Sequence, residues 1–137
     1  MDPTVGHVIA CWSVLDPSAR YKIVLNRGIQ RSIDAHHAFW PLIEMMSEGN
    51  PQKIIEQCAQ EKLPNLLLLQ GTKDDNLTPN MADHFLESYT QAGDNIILEK
   101  FRSQPHAFIG KEPQSNASLK ALNIIIKFVL EEETRAK

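Results

Sequence analysis

Three side chains in this sequence have the types and spacing to pass a proton between them: Asp74, Asp75 and His106. A carboxylate that accepts a hydrogen bond from one imidazole nitrogen fixes the ring tautomer and stabilises its protonated form. The other nitrogen is then free to take a proton from a nucleophile. An aspartate and a histidine that meet in this way make two thirds of a hydrolytic triad. The same residues have plainer uses. Asp74, Asp75 and Asn76 are what a turn before a helix employs, and an acid there favours a helix N-terminus. A histidine in a loop is more often structural or simply exposed.

Whether the acid and base meet depends on the elements beneath them. Leu66 to Leu69 is an unbroken apolar run, followed by Gln70 and ended by Gly71. It reads as a strand buried on both faces, the signature of a parallel sheet. Asp74 and Asp75 then lie in the loop past its carboxyl end, the rim where α/β sheets collect ligands and catalytic groups. Thr78 and Pro79 read as N-cap and first residue of a helix over Asn80 to Ala92, with Met81, Ala82, Phe85, Leu86 and Tyr89 on one face and Gly93 closing it. Asn95 to Phe101 is a further strand. His106 follows it, in the loop from Arg102 to Gly110. Parallel neighbours place both loops on one edge of the sheet.

Ahead of this core, Val5 to Leu15 reads as a strand punctuated by Asp16-Pro17. Ser18 to Arg31 is mixed, a short helix or an irregular excursion stopped near Gly28. Ser32 to Ser47 has helical spacing at Ala38, Phe39, Leu42, Ile43, Met45 and Met46, with Ser32 or Asp34 as N-cap and Pro41 as a break or a new first turn. Gly49-Asn50-Pro51 is a turn, and Gln52 to Glu61 is another helix. At the far end, Ser115 or Asn116 caps a helix whose expected buried face is Leu119, Leu122, Ile125, Ile126, Val129 and Leu130. The expected fold is α/β: about three parallel strands flanked by helices, in one domain over residues 1–137, with a helical insert at about 18–62.

The bulk composition narrows the function. The formal net charge is −3, from 14 basic and 17 acidic side chains that are scattered along the chain. No basic patch suggests nucleic acid, and Glu131 to Glu133 reads as a solvated helix face. Cys11 and Cys58 are too far apart for a metal knuckle and too few for a disulfide framework, so both read as reduced packing residues. No apolar run approaches the length of a membrane span, and the N-terminus lacks the pattern of a secretion signal. A cytoplasmic location is expected, and no cofactor.

GTKDDNLTP (Gly71 to Pro79), the following helix and SQPHAFIG (Ser103 to Gly110) together resemble the C-terminal half of α/β-hydrolase-fold serine hydrolases. The likeness is nearest to the esterases and peptidases grouped around prolyl oligopeptidase. VIACWSVLDPSARY (Val8 to Tyr21) also resembles the preceding strand of that family. The resemblance implies that Asp74, third after Gly71, is the triad acid and His106 the base, with Asp75 as the alternative acid. It also implies that Phe108 and residues of the insert (Trp12, Tyr21, Phe39, Trp40, Met45) line a substrate pocket, although core packing is the commoner use of each. The substrate would be a small ester or a peptide.

One requirement of that family is absent. The nucleophile elbow G-x-S-x-G needs two glycines four apart. The six glycines stand at 6, 28, 49, 71, 93 and 110, and no two are so spaced. Ser13, Cys11 and Ser103 lack the elbow context. The expectation is therefore a fragment or truncated product, inactive alone, or a part that docks onto another chain through the open edge of its first strand. Two other readings remain: a non-catalytic α/β interaction module, and a domain whose acidic rim binds a metal. The last is disfavoured because only Asp16 stands ready as a partner acid.

Overall fold

The computed structural model describes residues 5–57, 63–77, 79–93 and 95–135. Three strands form one parallel sheet in the order β1-β2-β3: β1 is His7–Cys11, β2 is Asn65–Gly71 and β3 is Ile96–Phe101. The central strand explains the leucine run. Leu66 and Leu68 face one layer with Met81, Phe85 and Tyr89 of helix α5 (Pro79–Gln91), the fifth helix among the described residues. Leu67 and Leu69 face the other with Phe101, Phe108, Ala121 and Phe128. All four leucines are at most 5% exposed, as a strand covered on both sides requires. The fold is α/β, three parallel strands with helices on both faces.

Among the described residues, four helices lie between β1 and β2: α1 (Pro17–Asn26), α2 (Gln30–Phe39), α3 (Met45–Glu48) and α4 (Pro51–Gln57). Helix α1 settles the open choice at Ser18 to Arg31. Asp16 is its N-cap, accepting from the Ala19 N–H at 2.9 Å, and Pro17 stands at its start. Gly28, at φ +63°, ends the segment as the sequence suggests. Helix α2 starts earlier than Ser32. Asp34 is no cap but an acceptor for Gln30 one turn before it. Trp40 is extended ahead of Pro41, where a proline forbids helix, and α2 ends there. That break turns Phe39, Leu42, Ile43 and Met45 outward; only Met46 joins the insert's core with Tyr21 and Val24. Cys58 and Ala59, and Thr78 as N-cap, fall outside the described residues.

Two further expectations are corrected. β1 is five residues, not the whole of Val5 to Leu15. Trp12 takes φ +43°, which turns the chain off its extended path once its N–H has bonded the Leu69 carbonyl. After β3 come α6 (Phe108–Lys111) and the long α7 (Asn116–Arg135). Ser115 caps α7, its Oγ accepting from the Ser118 N–H at 3.2 Å. The buried face of α7 is Ser118, Ala121, Phe128 and Glu132. Leu119, Leu122, Ile126 and Leu130 are 39–58% exposed, opposite to the expectation, while Ile125 and Val129 are only half-buried. The small Ser118 and Ala121 let the helix approach the sheet closely, and that rotates the larger aliphatic stripe to the outside. No helix among the described residues is long and apolar enough to cross a membrane.

Candidate active site

The parallel register brings the carboxyl ends of all three strands to one edge. Trp12 leaves β1 there, the acid loop leaves β2 and the histidine loop leaves β3. The last two are stitched together by backbone. Thr72 N–H donates to the Phe101 carbonyl and Lys73 N–H to the Gln104 carbonyl, both at 2.9 Å. Ser103 N–H donates to Thr72 Oγ1 at 2.8 Å. The loops press so closely that Gly71 has no room for a side chain: a Cβ there would stand 2.2 Å from the Gln104 carbonyl oxygen.

Asp74 and His106 meet. Oδ2 of Asp74 is 2.9 Å from Nδ1 of His106, and the Asp74 side chain is fully buried. Its other oxygen, Oδ1, accepts from the backbone N–H groups of Asn76 and Leu77, each at 3.0 Å. This Asx-type turn locks the carboxylate before the ring reaches it. Asp75 is exposed. Its backbone carbonyl accepts from Arg27, and it makes no contact with His106. Trp12 lies edge-on to both His106 and Phe108, with ring centres 6.4 and 6.0 Å away. Ala107, next to the histidine, sits in the left-handed region at φ +55°. Such conformations cost about 1 kcal/mol and persist where the surroundings enforce them.

The far nitrogen of His106 is also occupied. Asn76 Nδ2 stands 3.3 Å from Nε2. Asn76 is held in turn by Arg20 of α1, whose Nε donates to its carbonyl at 3.2 Å and whose second nitrogen donates to Oδ1 at 2.5 Å. These contacts fix the protons. Arginine can only donate, so Asn76 Oδ1 accepts and its amide N–H₂ points at His106. Nε2 of His106 is therefore the acceptor, and the ring proton resides on Nδ1, facing Asp74. The same logic applies to His36, whose Nε2 lies 2.8 Å from Arg20 and must accept. His36 is thus neutral. Burial, then the charge of Arg20, then His37 push it below the ordinary imidazole value. Burial also lowers Arg20, opposed by the nearby charge of Asp74.

Sequence reasoning picked out Asp74 and His106 but not Arg20 or His36. Asn76 was visible as a turn residue; its second use, against a histidine thirty positions later, left no local mark. Of the aromatic residues expected around a pocket, Phe39 and Trp40 line a cleft of about 420 Å³. Trp12 and Phe108 pack beneath the site, Tyr21 packs in the insert's core, and Met45 is turned outward. Ser13 Oγ donates to the Cys11 carbonyl at 3.5 Å, and Ser103 is exposed. Cys11 is a free thiol that burial pushes above its ordinary value, which disfavours the thiolate. Among the described residues, no three His, Cys, Asp or Glu side chains stand close enough to hold a metal ion.

Comparison with known proteins gives likeness in fold. No protein-family model matches the chain, and no curated protein does. Solved structures do. Esterase B from Lactobacillus rhamnosis superposes with a TM-score of 0.68 at 12% identity, over 95% of this chain and 42% of that one. Esterase 2 of Thermogutta terrifontis phosphonylated by cyclosarin gives 0.53 at 24% identity, over 60% and 30%. The native form of that thermophilic planctomycete esterase gives 0.51 at 24% identity, over 64% and 33%. The three-stranded parallel sheet and its flanking helices match part of the fold of these α/β-hydrolase-type esterases. The chain spans less than half the length of each of these structures.

Proposed function

We propose that Asp74 and His106 are the acid and base of a serine hydrolase that cleaves an ester or peptide bond. The single observation that carries the reading is the Asp74 Oδ2 to His106 Nδ1 contact at 2.9 Å. The carboxylate would hold the imidazole in the tautomer that leaves Nε2 as base and would stabilise the imidazolium that forms. In the resting chain, Asn76 occupies Nε2. A nucleophile must displace that weak contact to deliver its proton. The sequence contains no G-x-S-x-G, so in this reading the nucleophile and the oxyanion donors come from outside these 137 residues. An acid and a base without them position a proton but form no acyl intermediate, so the chain alone is inactive. Among the similar structures, the Thermogutta esterase is described as phosphorylated by paraoxon and, in another structure, as bound to propionate. These likenesses favour an ester over a peptide, and the prolyl oligopeptidase-like grouping rests on the GTKDDNLTP and SQPHAFIG segments alone.

Labelling tests the reading. The 137-residue chain treated with a fluorophosphonate should gain no phosphonyl mass. A product whose reading frame includes a G-x-S-x-G segment should be labelled, and His106→Ala should abolish that labelling. Stoichiometric labelling of the short chain would contradict the assignment.

The interaction-module reading has one observation of its own. The outer stripe of α7 and the open edge of β1 are both unpartnered among the described residues. In that reading they serve association, with a second copy or with a chain that completes the sheet.

A further inference from the structure

We propose that the cleft of about 420 Å³ beside α1 and α2 binds a small carboxylate whose organic part is apolar, with Arg20 as its charge partner. The cleft lies in the size range of small-molecule sites. Its walls include Val14, Phe39, Trp40 and Pro51, and among the described residues Arg20 is the only charged side chain that lines it. Phe39 is 73% exposed and stacks edge-on to Trp40 at 4.8 Å, so the two rings form an apolar rim that opens to solvent.

The charge that lines this apolar cleft is incompletely matched. Arg20 bonds the carbonyl and the side-chain oxygen of Asn76 and the Nε2 of His36. All three acceptors are neutral. Among the described residues no carboxylate forms an ion pair with it. Asp74 acts on it only at a distance, because both of its oxygens are taken by His106 and by two backbone N–H groups. Three of the five guanidinium N–H groups are used, and two remain. A half-buried cation with spare donors and no contact anion is a site for one. The planar fork suits a carboxylate, and the aromatic and proline walls suit an aryl or short alkyl group. A bulky polyanion would set its other charges against those walls.

The inference stands apart from the hydrolytic reading, because binding of a carboxylate requires no proton transfer by His106. Isothermal titration of the full chain with phenylacetate and with its neutral isostere phenylacetamide tests it. The expected result is one saturable site, with phenylacetate bound at least about tenfold more tightly than the amide, a factor typical of one charge-assisted contact. Arg20→Lys should keep a preference for the acid, and Arg20→Gln should abolish it. Arg20 also holds Asn76, so a second variant leaves it in place. Ala35→Leu fills the cleft from α2 and should remove binding of both compounds while the chain stays folded by circular dichroism. Equal binding of acid and amide, an acid preference that survives in Arg20→Gln, or no saturable binding would each overturn the proposal. The titration reads no turnover, so its failure leaves Asp74 and His106 untouched, and an inert pair leaves the titration intact.

Discussion

Gly71→Ala should separate the acid from the base without touching either. Gly71 does not lie at positive φ, so the substitution carries no conformational penalty of its own. The penalty is overlap. The new Cβ would lie 2.2 Å from the Gln104 carbonyl oxygen, 2.7 Å from its carbon and 2.9 Å from the Pro105 oxygen. All three are backbone atoms, and no flexible side-chain end can give way. Ordinary contact begins near 3.4 Å, so the segment entering His106 must retreat by roughly 1 Å. Such a shift stretches the 2.9 Å contacts of Lys73 with Gln104 and of Asp74 with His106 past hydrogen-bonding range. Overpacking costs about 1–3 kcal/mol, and the lost bonds add about 1–2 more. Together that is roughly 2–5 kcal/mol, a large part of a small domain's stability. Urea unfolding with an unchanged slope measures it, with Gly110→Ala as control because nothing lies within 4 Å of a Cβ there. A Gly71→Ala chain within about 0.5 kcal/mol of the parent would refute the account of how the two loops are held.

Three other outcomes follow from the same contacts. Asp74→Ala strands two backbone N–H groups and the His106 proton, and should cost about 2–4 kcal/mol by the same unfolding measurement, whereas Asp75→Ala should cost less than about 0.5. His36 is held neutral in the fold, so its unfolded form takes up a proton first as pH falls below about 6.5. Stability should therefore drop below that pH, by at most about 1.4 kcal/mol per unit from this group, and His36→Gln should flatten the profile. Ile126→Lys with Leu130→Glu should leave the unfolding free energy within about 0.5 kcal/mol and lower any self-association seen by sedimentation, because the stripe faces outward.

The layout of the site was legible wherever a local pattern carried it. Four leucines could only be a strand covered on both faces, and glycine, acid and proline marked the turn into a helix. Two parallel strands of similar length then had to bring Asp74 and His106 to one rim. The α7 stripe was misread because six large aliphatics outweigh Ser118 and Ala121 on any hydropathy pattern, yet close packing favours the small residues. Arg20 was invisible because its partner Asn76 is 56 positions away, and no local pattern marks such a pair. The length of β1 was overread because nothing in the sequence marks Trp12 as left-handed.

The most direct measurement is the two-bond proton–nitrogen spectrum of the His106 ring in the intact chain near pH 7.5. The expected result is a ring proton on Nδ1 and none on Nε2, a pattern that Asp74→Asn abolishes and Asp75→Asn leaves unchanged. A ring protonated on Nε2, or one whose tautomer is indifferent to Asp74, would contradict the assignment of these two residues as an acid and base poised for hydrolysis.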